Sequence, residues 1–460
     1  MRGFKPLTGM TAFIVIWIGQ AISLIGTGMS GFAMTIWAYE KTGQATALAL
    51  VGFFFMTPML LLSPVAGAIV DRSNRKLMMI ISDLASGVAT IGIFILNANG
   101  RLEIWQLYVA VFVMGTFQTF QWPAYSAAIT MMIDRKQYAR AAGLNQLAES
   151  GSGIIAPILA GALLGFIGLQ GILTIDIITF LFAIGGVMLA FIPQPKVSRE
   201  GEEGRGSLWT ESLYGFKYIF KRISLLGLQL VFMAGNFFAV IAMTLIAPMI
   251  LAHTSNNELA LGTVQSIAAM GAVTGALLMG AWGGPKRLVH GVLLGWVGSS
   301  LFGMLLVGLG QAIPIWALGG FIGALFGPII NGSNQAIWQM KVAPDVQGRV
   351  FSVRRLIAWF VNPVATLIAG PLADVVMEPA MQSGGSLAKL LGPIFGTGPG
   401  SGMSVIIAAC GVGGILVGLS GYAFRAIRDV QILLPDFDTT PAGEPVPEEQ
   451  PQPSQPLPAD

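Results

Sequence analysis

Gly67-Ala68-Ile69-Val70-Asp71-Arg72-Ser73-Asn74-Arg75-Lys76 sets the reading of the whole chain. It closes one long apolar run, places a carboxylate beside an arginine, adds two more cations, and opens another apolar run at Leu77. In a soluble protein this would be an ordinary charged turn. Here it lies in a chain of 460 residues that is 54% hydrophobic and 10% charged, with a mean hydropathy of +0.73. Soluble globules carry about a quarter of their residues as charges. Apolar runs of roughly 20 residues match helices crossing a hydrocarbon core of about 30 Å. The sequence predicts an all-α polytopic membrane protein, with this stretch as a short turn between two spans.

Working outward from the turn, twelve apolar segments recur near 11–39, 46–70, 77–97, 104–132, 143–167, 171–192, 224–251, 259–282, 288–309, 314–340, 350–377 and 403–424. With the amino terminus inside, 22 of the 25 Lys and Arg residues fall on cytoplasmic segments, and Lys41, Arg101 and Lys389 fall outside. Basic residues collect on cytoplasmic loops, so both termini are expected in the cytoplasm of a bacterial-type plasma membrane. One missed span would scramble this split, which supports the count of twelve. The same placement explains the formal charge of +3 without invoking nucleic acid. Arg2 and Lys5 precede an apolar run too long for a cleaved signal peptide, so that run reads as the first span.

The chain divides in the middle. Residues 1–195 are expected to form one six-helix bundle and residues 223–430 a second. Residues 196–222 form a cytoplasmic linker whose latter part, 208–222, repeats Leu208, Leu213, Phe216 and Phe220 at helical spacing, as an interfacial helix would. At an offset of 209, Phe112 pairs with Phe321, Ala127 with Ala336, Gly161 with Gly370 and Arg140 with Arg349, which points to a parallel repeat. Glu378 to Gly402 reads as an outside loop rich in Gly and Pro. The tail, 431–460, becomes Pro- and acid-rich from Pro435 and is expected to be disordered.

Soluble-enzyme motifs fail. Gly26-Thr27-Gly28-Met29-Ser30-Gly31 fits GxGxxG but lies inside a span rather than after a strand. Gly396-Thr397-Gly398-Pro399-Gly400 lacks the Lys-Ser/Thr of a phosphate loop, and His253 and His290 fall on opposite sides of the membrane. Cys410 stands alone. The sequence therefore predicts no enzyme, no metal and no cofactor, with a proton gradient as the energy source.

The opening stretch resembles the loop between helices two and three of the major facilitator superfamily, G-x-x-x-D-R-x-G/N-R-R/K. Gly67, Asp71, Arg72, Asn74, Arg75 and Lys76 meet every specified position. The resemblance implies two pseudo-symmetric six-helix bundles and a cytoplasmic gate. In that gate Asp71 faces the start of helix eleven, where the helix dipole and Arg349, Arg354 or Arg355 hold it. A carboxylate at a span end is costly without such a partner. The second-half counterpart, Gly280-Ala281-Trp282-Gly283-Gly284-Pro285-Lys286-Arg287, has no acid, so the gate is expected to be asymmetric.

Helix five resembles the antiporter motif of drug exporters in this superfamily at Gly143, Ser152, Ala156, Pro157, Ala160 and Gly161, with Ser or Ala at three glycine sites. Small residues allow close packing and Pro157 bends the helix; the motif implies export. Leu173-Thr174-Ile175-Asp176-Ile177-Ile178-Thr179-Phe180, the 208–222 segment and Pro344-Asp345-Val346-Gln347-Gly348-Arg349-Val350-Phe351-Ser352 resemble the macrolide-efflux branch of twelve-span drug:proton antiporters. The fourth span departs by lacking the intramembrane arginine of many drug:proton exporters, so their proton relay does not transfer.

The intramembrane acids Asp83, Glu149 and Asp176 are the proton-coupling candidates, with pairing to a loop cation or a backbone group as the other reading. For Asp374 the pairing reading is favoured. The superfamily resemblance places the substrate path on helices one, four, seven and ten. Those spans carry Gln20; Gln118 and Gln121; Asn236; and Asn331, Asn334 and Gln335 at mid-depth. They either line a cavity or hydrogen-bond between helices. No Lys or Arg is expected deep in a span, which suits a neutral-to-cationic amphiphile and disfavours a small polyanion.

These features together predict a monomeric secondary exporter of amphiphilic, macrolide- or drug-like molecules, driven by proton entry and seated in the lipid bilayer. A lysophospholipid- or siderophore-type carrier, an importer, and a non-transporting receptor or scaffold are the alternatives.

Overall fold

A computed structural model describes residues 7–42, 45–195, 202, 206–255 and 257–437. Arg2 and Lys5, nearly all of the 196–205 linker and the tail from 438 lie outside the described residues. Among the described residues the chain is helical, and its only β-type pairing is an isolated bridge between Leu7 and Ala190.

The first half contains α1 (Gly9–Thr42), α2 (Ala45–Arg72), α3 (Arg75–Ala98), α4 (Ile104–Met132) and α5 (Tyr138–Leu189). The 52 residues of α5 hold two spans, which meet at Gly168 with φ 63, a left-handed conformation that glycine adopts without a side-chain clash. The helix α6 (Leu208–Lys221) begins the second half, followed by α7 (Ile223–His253) and α8 (Glu258–Trp282). Next, α9 (Leu288–Gly298) runs on through a π-helical turn at Ser299–Leu305 to Leu309. α10 (Ile313–Lys341), α11 (Gln347–Pro371, continued by a π turn at Leu372–Met377) and α12 (Ser401–Ala423) complete the bundle.

By length and composition alone, nine helices among the described residues can cross a membrane, or ten if the bent pair Leu50–Met59 and Leu61–Arg72 counts as one span. Counting α5 as two spans and adding α4 gives the twelve segments read from the sequence. α4 has 29 residues, but its glutamines make it less apolar. In a hydrocarbon medium every backbone N–H must be satisfied internally, so the helices run long, and three of them start on a side-chain cap. Asn74 caps α3 through Leu77 N, Ser207 caps α6 through Thr210 N, and Asn257 caps α8 through Ala260 N. The 378–402 segment, expected to be a loop, contains helical Glu378–Met381 and Ala388–Phe395.

The halves meet where α2 packs on α11 and α5 packs on α8. Arg140 and Arg349, the paired positions of the repeat, stand near the starts of α5 and α11, the two helices that receive a helix from the other half. The inter-half hydrogen bonds cluster at the end that bears the 67–76 turn, called the loop end below.

After α12 the chain turns back beneath the loop end through Arg425–Arg428 and Val430–Leu433. Lys341, 3% exposed, donates to Gln431 O at 2.7 Å and Leu434 O at 2.5 Å, and pairs with Asp436 at 2.6 Å. Three partners satisfy the three ammonium protons. Asp436 also lies 3.6 Å from Arg135 of the first half, so this strap touches both halves.

Candidate functional site

Asp71 is carried into the first turn of α11 by the last turn of α2. Its carboxylate accepts from Gly348 N at 2.7 Å, Arg349 N at 2.9 Å and Arg349 Nε at 3.2 Å, and its side chain is 2% exposed. Of the three arginines that the resemblance offered, Arg349 is the one at the carboxylate. The approach depends on two glycines: a Cβ on Gly67 would lie 2.3 Å from Gly348 O, and one on Gly348 would lie 2.5 Å from Asp71 Oδ1.

The cations of the turn divide their work. Arg75 is buried and donates to Ala127 O of its own half at 3.4 Å and to Pro344 O across the boundary. Lys76 donates to Met188 O and Ala190 O, both at 2.8 Å, capping the end of α5. Arg72 reaches α6, where its Nε donates to Glu211 Oε2 at 2.8 Å. Glu211 is 3% exposed. Burial works against its charge, but Arg72 and the Gly206 amide more than offset this and hold its carboxyl below the usual range.

Among the described residues the second crossing has no such ion pair. A Cβ on Gly143 would lie 2.7 Å from Gly280 N, and among the described residues Arg140 donates to the Ala281 carbonyl alone, at 3.4 Å. Lys286 and Arg287 are exposed. One crossing is therefore held by charge and the other by close packing of glycines.

Above the gate lies a cavity of ≈ 380 Å³ between the halves. Gln20, Gln118, Gln121 and Glu149 line it from the first half, and Asn331, Gln335, Arg354 and Arg355 from the second. Two expected lining residues are elsewhere. Asn236 ties α7 to α11 through Ala358 O at 3.3 Å, and Asn334 is 0% exposed and accepts from Trp338 Nε1 at 3.1 Å. The expectation of a cavity without cations is also corrected. Arg354 and Arg355 lie two turns into α11, roughly 10 Å along it, and both face the cavity.

The acids differ in setting. Asp83 lies behind the cavity wall and accepts from Gln20 Nε2 at 2.9 Å and Gln121 Nε2 at 3.0 Å. Glu149 is open to the cavity. Asp176, 2% exposed, takes hydroxyls from Thr27 at 3.0 Å and Thr90 at 3.1 Å, which ties α1 and α3 to α5 away from the cavity. Asp374 is exposed on the π turn.

The family model of the Major Facilitator Superfamily matches residues 16–366. The chain belongs to the Major Facilitator Superfamily. It is 26% identical to macrolide efflux protein A of Streptococcus pyogenes over 371 residues, 79% of this chain and 89% of that protein. It is 23% identical to the enterobactin exporter EntS of Salmonella choleraesuis over 321 residues, covering 69% and 74% of the two chains. In fold it matches a bacterial homologue of the iron transporter ferroportin in an outward-facing state, with a TM-score of 0.63 at 13% identity, covering 90% and 100%. It is a transporter, not an enzyme.

Within this Major Facilitator Superfamily chain, the helix-five residues serve different neighbours. Gly143 makes the α8 crossing, Ser152 donates to Leu24 O at 2.7 Å, and Ala156 packs where a Cβ on Gly28 would come within 2.8 Å. Pro157 lies inside α5, and around Gly161 a Cβ would meet nothing within 4 Å. The sequence places Glu211 off the Leu208, Leu213, Phe216 and Phe220 stripe, but nothing in it pairs Glu211 with Arg72. Trp209, Leu213 and Phe220 of α6 are exposed, whereas Glu211, Ser212, Tyr218 and Ile219 are buried against the protein. The buried face was signalled by Glu211, Tyr218 and Ile219 recurring at helical spacing.

Proposed function

We propose that this chain is a proton-coupled exporter of amphiphilic small molecules, working as a monomer by alternating access. The loop end would face the cytoplasm of a bacterial plasma membrane, in keeping with its excess of cations. The observation that carries the coupling is the clasp of Asp83 by Gln20 and Gln121, two amides that also line the cavity. As a carboxylate, Asp83 takes both N–H groups. Once protonated it must donate, and a glutamine amide can turn its oxygen toward the new hydroxyl. A proton on Asp83 would then change which polar atoms the cavity presents to its cargo. The named relatives, a macrolide efflux protein and an enterobactin exporter, support a small-molecule cargo and the export direction.

The test is proteoliposomes carrying an imposed pH gradient and a panel of amphiphiles. Gradient-dependent efflux that Asp83→Asn uncouples, leaving cargo exchange in place, is the expected result. Wild-type coupling in Asp83→Asn, or movement indifferent to the gradient, would overturn the proposal.

A further inference from the structure

Two charged side chains in the cavity lack a hydrogen-bond or ion-pair partner among the described residues. Among the described residues, neither Glu149 on α5 nor Arg355 on α11 makes a hydrogen bond or closes an ion pair, although each feels the other's charge. A half-buried guanidinium with idle donors carries a desolvation cost, and structures keep such groups when something else uses them. Arg355 is not loose. Its guanidinium carbon lies 5.0 Å from the ring centroids of both Trp122 and Trp359, one ring from each half. Rings over its faces hold the group by cation–π attraction while leaving the N–H edge available.

Its neighbour Arg354 is already engaged. Arg354 donates to Gln335 at 2.8 Å and lies over the Trp338 and Phe351 rings. The lining thus holds two arginines against one carboxylate. A planar fork of unused N–H groups, walled by aromatic rings, is the geometry that takes a carboxylate or similar oxyanion bidentately.

We propose that Arg355 reads an anionic group on the cargo, so that the cavity selects amphiphiles with an acidic head and an aromatic or aliphatic body. The body lies against Trp122, Trp359 and Phe232. Glu149 opposes an anion placed too close to the first-half wall and sets its position by repulsion. This rests on the cavity being the cargo site, as proposed above.

The test uses purified protein in nanodiscs, with dansylaminoundecanoate and its neutral primary amide as paired probes, read by energy transfer from tryptophan. The acid should bind at least about tenfold more tightly than the amide, the range of a charge-assisted hydrogen bond. Arg355→Gln should erase that preference, chiefly by weakening binding of the acid, and an unaltered size-exclusion profile and melting temperature certify its folding. Arg355→Lys should keep part of the preference, and Glu149→Gln should increase it. Equal binding of acid and amide by the wild type, or a preference that survives Arg355→Gln, overturns the assignment. Transport of the same pair in proteoliposomes separates the two proposals. Selective binding without gradient-driven movement refutes the exporter and upholds the anion site; movement of the amide in preference to the acid does the reverse.

Discussion

Replacing Asp71 with Asn tests the gate most directly. Asp71 holds three N–H groups of the α11 start in a setting where its side chain is 2% exposed. The Asn oxygen can keep Gly348 N, but its NH2 then faces the Arg349 donors, and Arg349 loses the charge of Asp71. Breaking a buried pair from one side costs about 3–5 kcal/mol. With one acceptor retained, about 3 kcal/mol is expected, close to a hundredfold change in an equilibrium. Under the proposed alternating access these contacts part when the loop end opens, so the whole loss falls on the closed state. Spin labels at Lys136 and Arg428, exposed positions in opposite halves, report the closed fraction as a distance distribution. Asp71→Asn should move most molecules to longer distances and reduce transport. Lys286→Ala and Arg287→Ala, at exposed sites of the acid-free crossing, should change little. An unchanged distribution in Asp71→Asn, or an equal shift from either lysine or arginine variant, would refute the reasoning.

Other consequences are measurable in the same way. Gly67→Ala should open the α2–α11 crossing at a cost of about 1–3 kcal/mol, because its Cβ would lie 2.3 Å from Gly348 O; Gly161→Ala, with open space around it, should be silent in the same distance measurement. Deleting residues 431–460 strands Lys341 and should lower the melting temperature in detergent, and Lys341→Met in the shortened chain should recover much of the loss. A deletion with no thermal effect would dismiss the strap as a stabilising element. The Glu211 carboxyl titrates below its usual value, so its stabilisation is complete above the ordinary carboxylate range and disappears as pH falls through the lowered value. Acid unfolding of Glu211→Gln should accordingly begin from a lower stability at neutral pH and lose less on acidification than wild type.

The helices were legible because lipid leaves the backbone few alternatives, and the 67–76 turn was legible because its charges interrupt two apolar runs. Asp71 against the start of α11 followed from the resemblance, and the missing acid near Gly280 was visible as a bare residue difference. The division of the cavity was not. Asn236 and Asn334 sit at the expected depth, but helix rotation turns them toward neighbouring helices, and an uninterrupted apolar sequence does not encode that rotation. Arg354 and Arg355 were assigned to the loop end because cations favour water, yet aromatic rings and a polar cavity provide for them inside. The strap could not be read at all, since Lys341 looks like any other cation at a helix end until the returning chain is seen.

The linker helix α6 is covalently part of the second half, yet Glu211 grips Arg72 of the first, while the backbone of α11 passes so close that a Cβ on Gly215 would lie 2.4 Å from Arg349 O. The two halves are therefore joined here by contact as well as by peptide bonds. Severing the chain between positions 195 and 206 would leave that docking surface intact on both pieces. Co-expressed as separate polypeptides, the fragments have what they need to find each other in the bilayer, and the transporter becomes a natural two-part reporter of its own assembly.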